Sequence, residues 1–362
     1  MPQHVFKDQP NKKKINALFI IIPLLFFHSA VSFYILHNSK ILRKYDEGMY
    51  ISRSIVFHQM IIKKEYNKIV DSLLTIGGTS HSNLFSFIQG LILTSLSKAG
   101  IKSIDWTVLA TNFFFFLVLL LSVYKIGAIL YDGGLGIFSA VVISFCPVIF
   151  AQGRVSMLDF PFAATLSLSF MFLLQTRNLR SLPFSILTGI LFGLTWLMKE
   201  AGVVFILPPL IYYSLNSCVT KEHRALRMTN LLVITALFIF IGGAVYFNPR
   251  NINNFEICRK LFWVYPNNFG SLYYLSCIPF VYLGAIFALF LLPLIAARII
   301  NWKRADLFLS SWIIIPLLIF SFASNKNARY LIPVLPPLIL TLMQAIGDIK
   351  ISNRSKRIYI FV

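Results

Sequence analysis

Two adjacent carboxylates follow the first hydrophobic stretch of a chain that is otherwise poor in acid. Asp46 and Glu47 stand in the sequence Tyr45-Asp46-Glu47-Gly48, and a third acid, Asp159, lies at another boundary between apolar runs. A positioned carboxylate can act as a general base that takes the proton from an acceptor hydroxyl as its oxygen attacks an activated carbon. Adjacent carboxylates also suit a divalent cation, because hard cations prefer oxygen ligands. We predict Asp46, Glu47 and Asp159 as catalytic residues, with Asp46 as the base and Asp46 and Glu47 as the ligands of any metal.

Each acid also has a structural explanation. Asp46 fits a helix cap or an exposed loop acid. Asp159 precedes Phe160-Pro161, and an acid at the start of a helix with proline in the first turn is typical of a helix N-terminus. Both explanations stay open at the level of the sequence.

Four side chains that carry or can carry positive charge are candidates for binding the phosphate of a leaving group. They are His81, Arg154, Lys199 and Arg329. Arginine can hold a phosphate through two parallel hydrogen bonds, and lysine supplies a point charge. Any one of them is also explained as an anchor whose apolar stem lies along the membrane boundary. We predict a phosphate-binding role for them as a group, because the topology below places them on the same face as the acids.

Composition indicates a polytopic membrane protein built from α-helices. The chain is 57% hydrophobic and contains 35 phenylalanines, whereas soluble domains are about 45–50% apolar. The first apolar run, from Ile15 to Leu36, is long enough to cross a bilayer and lacks a small-residue cleavage site, so we expect it to be retained as a helix. About ten runs qualify as membrane helices, at about residues 15–36, 106–124, 135–152, 160–175, 183–198, 201–217, 230–247, 273–297, 307–323 and 330–346.

One further apolar stretch, Leu84 to Leu96, is too short to cross. Its roughly 13 residues cover about 20 Å, against about 30 Å for the hydrocarbon core. We predict an interfacial or re-entrant helix over about residues 84–97. With the amino terminus inside, this choice puts the catalytic and phosphate-binding candidates outside and four cationic clusters inside, as the positive-inside rule requires. The clusters are Arg177 and Arg180; Lys221, Arg224 and Arg227; Arg298, Lys303 and Arg304; and Lys350, Arg354, Lys356 and Arg357.

The first outer loop, about residues 37–83, is amphipathic. Apolar and small side chains recur at helical spacing between Tyr50 and Ile62, which predicts a helix in the headgroup plane. The segment Thr75 to Ser80 is rich in glycine and threonine and predicts a turn. We expect residues 1–362 to form a single integral-membrane domain without a separate soluble domain.

The formal net charge of +20 does not indicate nucleic acid. The lysines and arginines lie mainly in short loops between apolar runs, where the positive-inside bias puts them. This excess suits the anionic headgroups of membrane lipids. The four cysteines show no CxxC spacing and no paired histidine, so no cofactor is predicted apart from the possible divalent cation.

Four segments resemble, in the same order, the membrane glycosyltransferases of the GT-C class, in particular the protein O-mannosyltransferase and lipid A aminoarabinose transferase families. The resemblance covers roughly residues 37–346. The segments are Tyr45-Asp46-Glu47-Gly48; Gly133-Gly134-Leu135 through Pro147 to Arg154-Val155-Ser156-Met157-Leu158-Asp159-Phe160-Pro161; Gly189-Ile190-Leu191-Phe192-Gly193-Leu194-Thr195-Trp196-Leu197-Met198-Lys199; and Ala328-Arg329-Tyr330-Leu331-Ile332-Pro333-Val334-Leu335-Pro336-Pro337.

The resemblance implies a GT-C-like bundle of about ten transmembrane helices that moves a sugar from a polyprenyl-phosphate donor to an acceptor hydroxyl of a lipid, glycan or protein. It implies inversion at the extracytoplasmic face, with Asp46 as base and Asp159 as a supporting or acceptor-side acid. His81, Arg154, Lys199 and Arg329 are the implied contacts of the donor phosphate. Two differences are visible. Relatives have Lys or His followed by two prolines where this chain has His81-Ser82-Asn83, and they commonly carry further helices or a soluble carboxy-terminal domain.

Two other classes of protein are alternatives. A lipid or solute transporter places charges or broken helices near the bilayer midplane, often in repeated halves, whereas the acids of this chain lie at predicted interfaces and no repeat is visible. A non-catalytic assembly subunit would leave the acids replaceable. A bacterial inner membrane is favoured over the endoplasmic reticulum, because the chain is short and ends without a retention signal.

Overall fold

A computed structural model describes residues 17–38, 45–76, 82–219, 222–251, 260, 270–284 and 304–352. Every regular element in these ranges is helical. The α-helices are α1 (Leu18–Asn38), α2 (Tyr45–Ile62), α3 (Tyr66–Leu74), α4 (Leu84–Lys98), α5 (Ile104–Leu130), α6 (Gly133–Ser144), α7 (Pro147–Gln152), α8 (Asp159–Gln175), α9 (Leu182–Met198), α10 (Gly202–Cys218), α11 (Arg224–Tyr246), α12 (Tyr273–Cys277), α13 (Arg304–Phe322) and α14 (Leu335–Ser352). Short 3-10 helices occupy Pro249–Asn251 and Ala328–Val334, and a π-helix occupies Ile278–Leu283.

The prediction of an all-α integral membrane protein is confirmed. Four helical segments of the described chain are long and apolar enough to cross a bilayer: Leu18–Ile35, Ile104–Leu130, Arg224–Tyr246 and Ala328–Gly347. Seven shorter apolar helices accompany them. Each of the ten predicted apolar runs overlaps one of these helices, and α4, the remaining short one, corresponds to the stretch predicted not to cross.

Two of the predicted membrane helices are interrupted. The run at 135–152 is wrong as a continuous helix, because α6 ends at Ser144 and α7 begins at Pro147. Cys146 has the extended ψ of 127°, as a residue before proline prefers, and proline itself has no N–H for a helical hydrogen bond. The run at 273–297 begins as α12 and the π-helix, which ends at Leu283. Gly284 follows with a φ of +82°, and the rest of the run lies outside the described residues.

A close crossing joins α5 to α6, and α8 lies in the interior of the bundle. Gly127 of α5 and Gly136 of α6 approach so closely that a Cβ on Gly127 would lie 2.6 Å from the Gly136 Cα. Small residues at such crossings let membrane helices pack by direct backbone contact. On α8, the side chains of Phe160, Phe162 and Ala163 are at most 1% exposed. The amino end of α8, which carries Asp159, is therefore fixed inside the protein.

The segment predicted as the first outer loop folds onto the bundle through α2 and α3. The predicted helix between Tyr50 and Ile62 is confirmed as part of α2, and it packs against α4, where a Cβ on Gly90 would lie 2.9 Å from the Ser54 carbonyl oxygen. The carbonyl of Leu74 at the end of α3 accepts a 2.9 Å hydrogen bond from Asn251 Nδ2, just beyond α11. The predicted turn begins after Leu74, and its residues 77–80 lie outside the described part.

At the end of the bundle opposite to Asp159, two of the predicted cationic clusters meet. Arg180, between α8 and α9, forms a 3.0 Å ion pair with Glu222, just before α11. This contact supports the placement of both turns on one face. Lys221, Arg298, Lys303, Arg354, Lys356 and Arg357 lie outside the described residues.

Candidate active site

Asp46 lies in the first turn of α2 and forms an ion pair with Arg329. Arg329 Nη2 donates a hydrogen bond of 2.7 Å to Asp46 Oδ2, and 41% of the Asp46 side chain is exposed. The first turn of a helix favours acids, because its unpaired N–H groups carry partial positive charge. Asp46 therefore combines a fixed cationic partner with access from solvent.

Asp159 occupies the most buried position of the site. Lys199 Nζ lies 2.5 Å from Asp159 Oδ1, and the two side chains are 7% and 6% exposed. Arg329 Nε lies 3.6 Å from Asp159 Oδ2, so Arg329 bridges the two aspartates. The residue at the N-cap of α8 is Leu158, and no side chain caps the helix. The carboxylate of Asp159 thus binds Lys199 instead of capping its own helix.

Lys199 is positioned by the end of α9. It follows Met198, the last helical residue, and its Nζ lies 4.6 Å from the centre of the Tyr330 ring. Two of the last carbonyls of α9 are bound from other elements: Tyr246 donates a 3.1 Å hydrogen bond to the Trp196 carbonyl, and Ser82 donates to the Leu197 carbonyl. These bonds fix the end of the helix from which Lys199 extends toward Asp159.

Arg329 is positioned by the 3-10 helix of Ala328–Val334. Asn327 caps this helix, since its Oδ1 accepts a 3.2 Å hydrogen bond from the Arg329 N–H. Two tyrosines hold the same backbone: Tyr274 accepts a 3.1 Å hydrogen bond from the Asn327 N–H, and Tyr282 donates to the Ala328 carbonyl. Both tyrosine side chains are buried, so the backbone around Arg329 is held on both sides.

Glu47 faces a different partner from its neighbour. It is 5% exposed, and its Oε1 accepts a 3.1 Å hydrogen bond from the Ser156 N–H. The Ser156 hydroxyl lies 3.0 Å from the side-chain amide of Gln89 on α4. Glu47 therefore ties α2 to the turn that leads into Asp159.

Metal ligation was predicted for Asp46 and Glu47 if a cation binds. Their carboxylates contact Arg329 and Ser156 respectively. Within the ranges that the structure describes, no group of three or more His, Cys, Asp or Glu side chains has the arrangement of a metal site. The metal prediction stays untested.

The other two phosphate-binding candidates stand apart from this network. The Arg154 guanidinium stacks on Phe150, with its Cζ 3.4 Å from the ring centre, and it makes no ion pair with an acid in the described part of the chain. Burial lowers the pKa of Arg154 from its ordinary value. His81 lies outside the described residues. The structure thus brings together Asp46, Asp159, Lys199 and Arg329, and it does not bring Arg154 to them.

Several side chains around the site were not predicted from the sequence. Tyr50, on α2, is 5% exposed; burial, followed by the charges of Asp159 and Glu200, raises its pKa well above the ordinary tyrosine value, so its phenol stays neutral. Tyr330 and Ser156 belong to motifs quoted above but gave no chemical signal of their own. The sequence gives no chemical signal for Tyr274 and Tyr282, because their roles depend on which helices pack together.

The arrangement resembles known membrane glycosyltransferases at the level of the fold. Over 91% of its length, the chain matches the crystal structure of ArnT from Cupriavidus metallidurans bound to undecaprenyl phosphate, with a TM-score of 0.66 and 17% identity. The apo form of the same protein gives a TM-score of 0.66 and 16% identity over 91% of the chain. The fold is that of the GT-C class. The predicted GT-C-like bundle is therefore confirmed.

Two further comparisons agree with this fold. The oligosaccharyltransferase of Archaeoglobus fulgidus matches 95% of the chain with a TM-score of 0.60 and 11% identity. Residues 81–246 match the family model described as dolichyl-phosphate-mannose-protein mannosyltransferase. No curated protein matches the chain by sequence. The chain spans 60% of the length of the undecaprenyl phosphate-bound ArnT, 59% of that of the apo form and 52% of that of the oligosaccharyltransferase.

Proposed function

We propose that this protein is a glycosyltransferase that moves a sugar from a polyprenyl-phosphate donor to an acceptor hydroxyl at the extracytoplasmic face of a bacterial inner membrane. One observation carries the proposal: two aspartates from different helices meet two cations from different elements in a single network. Asp46 and Asp159 are 113 positions apart in the chain (159 − 46), yet both contact Arg329. Such convergence of acids and bases is typical of a catalytic site.

The proposed reaction is a single displacement with inversion. Asp46 takes the proton from the acceptor hydroxyl, whose oxygen forms the new bond to the anomeric carbon. The bond from that carbon to the donor's phosphate oxygen breaks, and the phosphate keeps the electron pair. Asp46 suits the role of the general base, because 41% of its side chain is exposed, whereas the side chain of Asp159 is buried.

Lys199 and Arg329 would stabilise the negative charge that develops on the departing phosphate. Preorganised cations in a site with little water act strongly on such charge. Arg329 retains donor capacity for this role, because Nη2 binds Asp46 while Nη1, within the described part of the chain, contacts only the Met157 sulfur, at 3.9 Å. Asp159 would fix the position of the Lys199 ammonium through their ion pair.

Two comparisons support the choice of donor. The ArnT structure was solved with undecaprenyl phosphate, which is a polyprenyl phosphate. The family model over residues 81–246 describes enzymes that use dolichyl-phosphate-mannose, another polyprenyl-phosphate sugar, and this range contains Asp159 and Lys199.

Deletion of the gene tests the proposal in the cell. If the protein consumes a lipid-linked sugar, mass spectrometry of extracted lipids will show one polyprenyl-phosphate sugar accumulating in the deletion strain, and a plasmid copy will reverse this. A transporter would instead move radiolabelled solute across proteoliposomes without forming a new glycoside. An unchanged lipid-linked sugar profile together with unchanged envelope glycans would overturn the proposal.

A further inference from the structure

A short segment just before α4 contacts three other helices. Ser82 and Asn83 are 4% and 8% exposed, and Asn83 is the N-cap residue of α4. Asparagine is favoured at this position because its side chain can cap the helix, but the Asn83 side chain makes no such bond. Its polar groups therefore serve other elements, and the same is true of the hydroxyl of Ser82.

Asn83 joins the end of α3 to α2. Its Nδ2 donates hydrogen bonds of 2.8 Å to the Ser72 carbonyl and 3.2 Å to the Thr75 carbonyl. The last carbonyls of a helix lack partners within the helix, so these bonds satisfy two groups at the end of α3. Asn83 Oδ1 accepts a 3.1 Å hydrogen bond from Arg53 Nη1 on α2. One buried amide thus binds both helices of the segment predicted as the first outer loop.

The bond from Arg53 affects the orientation of Asp46. The two residues lie seven positions apart (53 − 46) on α2, which is nearly two full turns at 3.6 residues per turn. Their side chains therefore leave the helix on the same side, about 10 Å apart along its axis. The contact between Arg53 and Asn83 fixes the rotation of α2 about its axis, and with it the direction in which Asp46 faces.

Ser82 binds the helix that leads to Lys199. Its hydroxyl donates a hydrogen bond to the Leu197 carbonyl in the last turn of α9, and its oxygen accepts a 3.4 Å hydrogen bond from the Leu84 N–H. Lys199 follows Leu197 by two residues with an extended backbone (φ −152°, ψ 132°), and its side chain pairs with the buried Asp159. The serine hydroxyl thus fixes the point at which the chain leaves α9.

Two adjacent residues therefore connect both sides of the candidate active site. In the proposed displacement, the base on α2 and the phosphate-binding cation after α9 act on opposite sides of one carbon. A displacement of such groups by about 1 Å can reduce a rate about 10²-fold. We propose that Ser82 and Asn83 are positioning residues for sugar transfer, which hold Asp46 and Lys199 at a fixed separation through α2 and α9. This inference rests on the proposed function, and the two residues act through others without touching the substrate.

Transfer kinetics test the proposal. Wild type, Ser82→Ala and Asn83→Ala are compared with a radiolabelled polyprenyl-phosphate sugar as donor, and each rate is expressed per amount of protein that stays folded in detergent. Ser82→Thr is the conservative variant, because it keeps the hydroxyl. Asn230→Ala is the matched control, since Asn230 is also a buried asparagine whose Nδ2 donates a 2.8 Å hydrogen bond to the carbonyl of another element, that of Leu179.

We expect kcat to fall about tenfold or more in Ser82→Ala and Asn83→Ala while KM for the donor changes little, because misplaced groups lose interactions made in the transition state. Ser82→Thr should transfer at nearly the wild-type kcat, and Asn230→Ala should lose stability without losing kcat. Wild-type kcat in either Ser82→Ala or Asn83→Ala would overturn the proposal. An equal fall of kcat in Asn230→Ala would also overturn it, because the effect would then be a general loosening of the fold.

Lysine labelling tests the link between Ser82 and Lys199 without sugar transfer. Purified protein in detergent is treated briefly with an amine-reactive acetylating reagent, and mass spectrometry compares Lys199, whose side chain is 7% exposed, with Lys68, whose side chain is 66% exposed. Relative to Lys68, Lys199 should react about fivefold faster in Ser82→Ala than in the wild type, as expected from the loss of one hydrogen bond. Unchanged labelling of Lys199 would overturn the positioning role of Ser82. Faster labelling in the variant together with no transfer by the wild type would overturn the proposed function and leave this link supported.

Discussion

Asp46 and Asp159 share Arg329 but differ in their surroundings. The side chain of Asp46 is 41% exposed and that of Asp159 is 6% exposed. A base that meets successive acceptor molecules must be reachable, whereas a carboxylate that orients a lysine is best enclosed. The two acids therefore suit different roles, with Asp46 as the proposed base and Asp159 as the proposed support of Lys199.

Lys199→Met should destabilise the protein, because among the described residues it leaves the buried Asp159 with only the more distant Arg329. Removing one partner of a buried ion pair typically costs about 3–5 kcal/mol. We expect a clearly lower midpoint of thermal unfolding in detergent. Lys68→Met is the control, since Lys68 forms an exposed pair with Glu65 and should change little. Equal midpoints for Lys199→Met and the wild type would contradict the buried-pair account.

The residues that bear charge could be predicted from the sequence, whereas their supporting contacts could not. A charged side chain next to a membrane-spanning segment has a free-energy cost, so its presence in the sequence indicates a specific role. This reasoning predicted Asp46, Asp159, Lys199 and Arg329. Tyr282 lies within an apolar stretch and looks like any other buried aromatic residue. Its hydrogen bond to the Ala328 carbonyl depends on the approach of two segments that no local pattern specifies.

At the scale of elements, close glycine contacts set the distance between α5 and α6. A Cβ on Gly136 would lie 2.3 Å from the Tyr124 carbonyl oxygen, whereas a Cβ on Gly133 of the same helix would meet nothing within 4 Å. The backbone carbonyl cannot move aside as a flexible side chain can. The crossing therefore requires glycine at position 136 and tolerates a methyl group at position 133.

Gly136→Ala should consequently destabilise the bundle, by about 1–3 kcal/mol, the usual cost of overpacking. The measurement is thermal unfolding of the purified protein in detergent. Gly133→Ala is the matched control and should unfold near the wild-type temperature. Indistinguishable unfolding of the two variants would show that the crossing relaxes and that the glycine contact is not needed.

The apolar runs of the sequence predicted where the helices lie, but they did not predict where a helix is interrupted. The run at 135–152 is apolar throughout, and hydrophobicity alone predicts one helix. Pro147 breaks it, because proline lacks the N–H and disfavours helical geometry in Cys146 before it. The break gives rise to α7, which carries Phe150 and leads into the turn of Arg154. Prolines elsewhere lie inside helices, as Pro208 and Pro209 do in α10, so proline alone does not predict a break.

In the whole molecule, two groups of charged side chains lie at opposite ends of the helix bundle. The network of Asp46, Asp159, Lys199 and Arg329 lies at one end of α8 and α9, and the pair of Arg180 and Glu222 lies at the other. Apolar helices connect them. This separation is expected of a membrane protein whose two ends face opposite sides of the bilayer, and we predict that the end with Asp46 faces outward.

Cysteine labelling tests this sidedness. In a variant without the four native cysteines, a cysteine at the exposed Asp71 or Arg250 should react with a membrane-impermeant maleimide in intact cells. A cysteine at Glu222 should react only after permeabilisation. Labelling of Glu222→Cys in intact cells, with Asp71→Cys protected, would reverse the predicted orientation.

In the proposed reaction, Asp46 acts as the base of sugar transfer. The most direct test compares membranes that carry the wild type or Asp46→Asn, each supplied with a radiolabelled polyprenyl-phosphate sugar. Asparagine keeps the size of the side chain and removes its basicity, so transfer to endogenous acceptor should fall by about 10² to 10⁴ at equal protein levels. Transfer at the wild-type rate by Asp46→Asn would contradict the account.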